Sequence, residues 1–509
     1  MLLLNDTLVW LLKRRLARIQ AFMQDPMQAQ ETQFKQLISS AKNTEWGKKY
    51  EYSNHLDLST FQKRVPISTY EDLFPYIERT MRGEQFLLWS SPINWFAKSS
   101  GTTNARSKYI PVSRESLEEC HYTGGKDLMT LVIENCPDTR IFDGKGVSVG
   151  GSLSENPFNS SLINCGDVSA VVMKNLPPWA QYIRTPDIET ALMSVWEEKI
   201  TRMAEITIQE NVTSILGVPT WSLVLIEKVL EISGKSNIRE IWPNFEIFVH
   251  GAVAFQPYRS LFRNKIFAGN DIKFFEIYNA SEGFFGIQDN PDNPDEMLLM
   301  LDYGIFYEFI PLEDLHKSWP KTLVLGEVEL HKNYAMIIST NAGLWRYMIG
   351  DTVKFTSKNP YRIKISGRTK LFINAFGEEL IIENAEQAIA KACQATNAQI
   401  ENYTAAPAYM NTGQRGCHEW LIEFKHQPND FEYFGQILDQ TLREINSDYD
   451  AKRYKDMVLS SPLLHYLPEG SFYEWMKQRG KLGGQHKVPR LANTREYVDD
   501  LLKNKVFIK

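Results

Sequence analysis

Residues 99–108 read Ser-Ser-Gly-Thr-Thr-Asn-Ala-Arg-Ser-Lys, a run of small and polar residues closed by a guanidinium and an ammonium. Such a loop cannot contribute to a core. It can set backbone N–H groups and hydroxyls around an anion, with Lys108 adding charge. It is not a Walker loop, because Gly-x-x-x-x-Gly-Lys-Ser/Thr is missing. By itself such a run is more often a surface turn than a phosphate cradle.

Three further segments carry chemistry of the same kind. Tyr278-Asn-Ala-Ser-Glu-Gly283 follows the strand-like run Lys273 to Ile277. A carboxylate and a hydroxyl at a strand end sit where open α/β sheets bind ligands. Glu282 is suited to Mg²⁺, which takes carboxylate and phosphate oxygens, and Tyr278 to stacking on a base. Next comes Trp345-Arg-Tyr-Met-Ile-Gly-Asp-Thr-Val353. Here Asp351 can accept two hydrogen bonds from the vicinal hydroxyls of a ribose. Near the C-terminus stands Gly483-Gly-Gln-His-Lys-Val-Pro-Arg490, in which Lys487 can neutralise charge on a phosphoryl group in transfer. Each segment alone also reads as a turn or a basic tail.

In this order the four segments resemble the adenylate-forming superfamily of acyl-CoA synthetases, luciferases and peptide-synthetase adenylation domains. Within it the chain resembles the plant auxin- and jasmonate-conjugating acyl acid–amido synthetases and their bacterial relatives. The ten-residue loop running into Lys108-Tyr-Ile-Pro111 and the tail Gly484-Gln-His-Lys-Val-Pro-Arg490 carry that likeness. Ala105, His486 and Asn279-Ala280 depart from the usual pattern without removing a group of assigned chemistry.

The resemblance implies roles. Ser99, Ser100, Gly101, Thr102 and Thr103 contact the phosphates of ATP, with Lys108 nearby. Tyr278 packs on adenine, and Gly251 and Ala252 wall the same pocket. Ser281 lies near the α-phosphate and Glu282 ligates Mg²⁺. Asp351 holds the ribose, Arg368 sits at a hinge, and Lys487 reaches across from a small C-terminal domain. The implied reaction adenylates a carboxylic acid and passes the acyl group to an amine, most naturally that of an amino acid. A thioester ligase and a non-catalytic nucleotide-binding protein are the alternatives. Residue type alone makes His121, His250 and His486 candidates for the base. Trp95, Tyr122, Val172 and Phe255 are candidates for the acyl wall.

Composition fits a soluble globular protein. The 509 residues are 43% hydrophobic and 23% charged, enough chain for more than one domain. A net charge of -6 argues against nucleic acid as main partner. Five scattered cysteines outside CxxC pairs suggest neither a disulfide framework nor zinc, and a reducing cytoplasm is expected. The apolar stretch Met1 to Leu12 precedes its basic residues, unlike a signal peptide, and is too short to span a bilayer. Leu8, Leu11, Leu12, Arg15 and Ile19 recur at helical spacing, so an amphipathic helix docked on the body is expected, weak attachment to a membrane surface being the alternative. A monomer is expected.

These groups need a scaffold, and the pattern supplies an α/β one. Helical periodicity covers 7–45, 114–135, 187–210 and 219–233, and strand signals cover 145–150, 246–250 and 273–278. From 297 to 365 the chain turns β-rich, barrel-like, with strands expected near 297–301, 306–310, 326–330, 336–339, 353–355 and 362–365. The aromatic run Phe86 to Phe96 also reads as strand. Beyond 366 the order strand, helix, strand, strand, helix suggests a smaller α+β unit. A large domain over 1–365 and a mobile lid over 366–509 are expected, with 447–483 as loop and short helix.

Overall fold

A computed structural model describes residues 2–99, 108–158, 160–253, 255–267, 271–294, 296–315, 317, 319–369, 372–410, 415–456, 458–479 and 488–503. The scaffold is an eleven-stranded sheet. Its spatial order is Ile305–Pro311, Asn333–Thr340, Tyr347–Lys358, Tyr361–Arg368, Met297–Leu299, Gly283–Ile287, Lys273–Ala280, Ile247–Gly251, Val212–Gly217, Lys145–Val149 and Arg184–Thr185. The last five run parallel and the rest antiparallel. The β-rich segment thus continues the parallel half as one sheet. A four-stranded sheet of Lys108–Val112, Trp95–Ser99, Asn164–Asp167 and Leu153–Ser154 stands apart from it.

The parallel strands are apolar on both faces, as helix-covered strands must be. Ile247, Phe248, Val249 and His250 are all buried. The crossover helix Pro219–Ser233 starts with Pro at its first turn and ends on Gly234 at φ 66°, which fits the capping preferences of both residues.

The C-terminal part is smaller and α+β. Gln399–Ala408, Cys417–His426 and Leu463–Leu467 form a sheet, and the helices Ile382–Thr396 and Phe431–Ile445 pack on each other. Its core is continuous with that of the parallel half. Phe376, Tyr403, Trp420 and Phe434 belong to the same buried cluster as Phe248, Trp242 and Phe262.

Two expected strands are corrected. Residues 326–330 are not a strand: a 3₁₀ turn occupies Leu325–Glu327. The Glu327 carboxylate accepts from the Val324 N–H at 3.0 Å, and pairing resumes only at Asn333. The run Phe86 to Phe96 is strand only from Trp95. Phe86 takes a positive φ of 64°. The Gln85 side chain bonds both the N–H and the carbonyl of Ile93, at 2.8 and 3.1 Å, standing in for a neighbouring strand. Within 447–483 the strand Leu463–Leu467, parallel to Cys417–His426, was not expected. The N-terminal helix does dock: Leu8, Val9 and Leu12 pack on the core, and Arg15 pairs with Asp127 at 2.7 Å.

The antiparallel half is pinned by a fully buried ion pair. Arg346 donates to both oxygens of Glu308 at 2.9 and 3.0 Å, to Thr322 at 2.7 Å, and to the carbonyls of Gln62 and Val65. Both partners are 1% exposed. Removing one partner strands the other's charge, which typically costs about 3–5 kcal/mol. Arg346→Met is therefore expected to lose about that much stability in urea melts. The double variant Arg346→Met/Glu308→Leu should lose distinctly less; equal losses would show that the ion pair is not what holds this region.

Candidate active site

The parallel strands end along one rim, and the chain narrows there to let groups approach. A Cβ on Gly251 would lie 2.5 Å from the Ile277 carbonyl, and one on Gly217 would lie 2.8 Å from Ser222 Oγ. Directly after, Ala252 adopts φ 69°, a conformation non-glycine residues seldom take. Beyond this rim opens a cavity of about 2070 Å³. It lies outside the carboxyl ends of the strands, the usual ligand position in open α/β sheets.

Ser281 and Glu282 form the two-residue turn joining Lys273–Ala280 to Gly283–Ile287, with Ala280 opposite Gly283. The turn aims both at the cavity. Burial raises the Glu282 carboxyl to about 7, against the attraction of Lys108. Lys108, at the start of its strand, also lies over the Tyr70 ring at 5.7 Å.

Asp351 and Arg368 face each other across adjacent antiparallel strands. Arg368 Nε reaches Asp351 Oδ1 at 2.8 Å and the same guanidinium pairs with Glu379. The Tyr278 hydroxyl donates to Asp351 Oδ2 at 2.5 Å. Burial disfavours the Arg368 charge, yet Asp351 and Glu379 outweigh it and raise its pKa.

Ser99, Lys108, Gly251, Ala252, Tyr278, Ser281, Glu282, Asp351 and Arg368 thus all line one cavity. The Tyr278 hydroxyl is committed to Asp351, and its ring meets Phe285 edge-on at 4.9 Å. Ser100, Gly101, Thr102, Thr103 and Lys487 lie outside the described residues. Flanking Lys487, Pro489 and Arg490 are tied to the small sheet: Thr404 Oγ1 donates to the Pro489 carbonyl and the Ala405 N–H to that of Arg490.

The histidines separate. His250 is fully buried, stacks on Phe255 at 3.9 Å, and falls to about 3 through burial; it is a packed side chain. His121 borders the cavity, but burial lowers it to about 4. His486 lies outside the described residues. Tyr122, Val172 and Phe255 line the cavity, whereas Trp95 does not.

Sequence reasoning missed several wall groups. Leu8, Leu11 and Leu12 of the N-terminal helix reach the cavity; their spacing signalled docking but not where. Lys199 donates to the carbonyls of Gly150 and Gly151 at 2.7 and 2.9 Å, and burial lowers it to about 8. Asp448 and Lys452 line the cavity from the C-terminal part, in a stretch read only as loop and short helix.

Among the described residues no group of three or more His, Cys, Asp or Glu could hold a metal ion, and no helix is long and apolar enough to cross a membrane. Glu282 nonetheless fits a cation that arrives with phosphates. It faces the cavity, and its burial penalty is what a divalent ion would relieve.

A mixed sheet, a strand-end cavity and a smaller C-terminal part that lines one side of it make up the architecture. The chain belongs to the GH3 family: the family's N-terminal, central and C-terminal domain models match residues 15–272, 298–368 and 383–496. It is 23% identical to the indole-3-acetic acid-amido synthetase GH3.3 of Arabidopsis thaliana, over 90% of this chain and 88% of that one. It is 25% identical to the jasmonoyl–L-amino acid synthetase JAR4 of Nicotiana attenuata, over 65% and 67%. The fold is shared with the GH3.15 acyl acid amido synthetase, with a TM-score of 0.61 and 17% identity over 97% and 96% of the chains. It is also shared with 2-hydroxyisobutyryl-CoA ligase, with a TM-score of 0.56 and 13% identity over 94% and 93%.

The state of Glu282 gives a pH test. Its folded pKa of about 7 stands above the 4.5 of an ordinary Glu. The folded chain keeps a proton that the unfolded chain releases, so this group's contribution to stability falls as pH rises from 4.5 to 7. Glu282→Gln escapes that loss. Its stability relative to wild type should grow by on the order of 2 kcal/mol between pH 5 and 8 in parallel urea melts. A pH-independent difference would show that the carboxyl titrates normally.

Proposed function

We propose that the chain is a C–N ligase that adenylates a carboxylic acid with ATP and transfers the acyl group to an amino acid, releasing pyrophosphate and AMP. The observation that carries this reading is the convergence of Lys108, Tyr278, Ser281, Glu282, Asp351 and Arg368 on one cavity, together with membership of the GH3 family.

In the first half-reaction an acid oxygen bonds to the α-phosphorus while the bond to pyrophosphate breaks. The protein contributes position and charge rather than a covalent intermediate. The 99–108 loop and Lys108 hold the phosphates, Asp351 with Arg368 holds the ribose, and Tyr278 fixes the Asp351 carboxylate. Mg²⁺ on Glu282 would offset phosphate charge. Lys487 steadies the charge on the transferred group. In the second half-reaction the amine bonds to the acyl carbon and the bond to AMP breaks. The acyl-adenylate hydrolyses readily, so water must be kept out; residues 366–509 serve as the lid.

Pyrophosphate release with Mg-ATP, screened over aryl, indolyl, fatty and benzoyl acids with and without pooled amino acids or CoA, tests the class. Stimulation by one acid coupled to an amide product is expected. Dependence on CoA with indifference to amino acids would move the chain to the thioester ligases. Lys487→Ala should slow adenylation roughly a hundredfold, about 3 kcal/mol, with little change in ATP binding. Unchanged turnover in that variant would end the assigned role.

A further inference from the structure

The helix Ser447–Arg453 is held in one rotation. Asn446 caps it, its Oδ1 accepting from the N–H groups of Asp448 and Tyr449 at 3.1 and 2.9 Å. The Asn446 amide in turn donates to the carbonyls of Glu378 and Glu379. The Tyr449 hydroxyl and the Arg453 guanidinium both bind Asp439 of the neighbouring helix, at 2.7 Å and at 2.6 and 2.8 Å. With 449 and 453 locked inward, the residues one place earlier, 448 and 452, are turned to the cavity, and both line it.

The other two charged residues of that helix, Asp450 and Arg453, are ion-paired to Arg443 and Asp439; among the described residues, Asp448 and Lys452 are not. Lys452 is 6% exposed. It makes no side-chain hydrogen bond and no ion pair within 4.0 Å among the described residues; its ammonium lies over the Trp221 ring at 4.4 Å. Burial lowers its pKa despite the attraction of Asp448, Asp167 and Glu378. Gly377, at φ 90°, leaves it room, since a Cβ there would stand 3.3 Å from Lys452 Cε. The Asp448 carboxylate also has no hydrogen-bond partner among the described residues. Burial raises it to about 6, with Lys452 opposing and Glu379 and Asp167 reinforcing. An anion and a cation four residues apart on a helix are neighbours able to pair. Here they face the cavity without closing on each other. Buried charges of this kind are normally paired.

We infer that Asp448 and Lys452 form the subsite for the acceptor amino acid, Asp448 binding its ammonium and taking the first proton, and Lys452 binding its α-carboxylate. The inference rests on the amide-forming reading above. One residue of each sign at helical-neighbour spacing matches a zwitterion whose two charged groups are carried by one carbon. Asp448 also feels Glu379, which is paired to Arg368 and through it to Asp351. The acceptor is thereby set beside the groups assigned to the nucleotide. The protons balance. The ammonium gives one proton to Asp448, freeing the nitrogen lone pair. The C–N bond forms as the acyl C–O bond to AMP breaks, and the second nitrogen proton leaves to solvent. His121, lowered to about 4, is the poorer base.

The test separates acceptor from adenylation chemistry by using two nucleophiles on the acyl-adenylate. Hydroxylamine is neutral at pH 7 and carries no carboxylate; an amino acid carries both charges. Wild type is expected to form hydroxamate and amide, and to prefer the amino acid over its carboxamide. Lys452→Met should raise the amino acid KM roughly tenfold to a hundredfold, erase the preference over the carboxamide, and leave hydroxamate formation within threefold. Lys452→Arg should restore part of the preference. Asp448→Asn should cut kcat for the amide at least tenfold, again sparing hydroxamate. Amino acid kinetics within twofold of wild type in both variants would overturn the subsite while leaving the ligase reading intact. So would equal loss of hydroxamate and amide. A wild type that forms no hydroxamate with any acid takes down both readings.

Discussion

The guanidinium of Arg368 is the contact on which the site depends. It closes the antiparallel half of the sheet by facing Asp351 across the strands, and it reaches forward to Glu379 in the C-terminal part. Asp351 then receives Tyr278 from the centre of the sheet. Arg368 and Asp351 together thus tie the antiparallel strands to the centre of the sheet and to the C-terminal part. Two carboxylates outweigh the burial that disfavours the Arg368 charge and raise its pKa. A lysine would supply the charge but not the planar fork that reaches both carboxylates.

How much of this was legible in the sequence follows from what each residue's role depends on. Glu282 and Lys108 could be named because they sit in short polar segments at strand ends, and Asp351 because its Gly-Asp interrupts an apolar run, although it lies within the strand Tyr347–Lys358. Three of the five parallel strands announced themselves by their residue pattern; Val212–Gly217 and the two-residue Arg184–Thr185 did not. What could not be read was long-range. Nothing in Leu8, Leu11 or Leu12 says which wall their helix completes. Gln85 stands in for a strand partner of Ile93, so an aromatic run with the composition of a strand lies outside the sheet until Trp95. Glu327 caps its own turn where Val328 and Leu330 suggested pairing.

Lys452 shows the limit most clearly. In sequence it stands in Asp-Ala-Lys-Arg-Tyr-Lys, a run that reads as a solvated surface. Its burial is decided by Tyr449 and Arg453, which anchor on Asp439 and fix the helix rotation. The same local composition would give an exposed lysine if that anchor faced the other way. Tertiary context, not residue type, makes the group chemical.

Burial acts on the cavity wall in one consistent direction. It lifts acids and lowers bases, so Asp448 near 6, Glu282 near 7 and Lys199 near 8 converge on neutrality from opposite sides. Groups in that range change protonation at little cost when a charge arrives beside them. Arg368 goes the other way, raised by two carboxylates against its burial. A reaction that brings in polyphosphate, expels pyrophosphate, and then admits a zwitterion changes the charge in the cavity at every step. A wall that sets soft acids and bases beside its guanidiniums can follow those changes without repacking, which a wall of fully ionised pairs could not do.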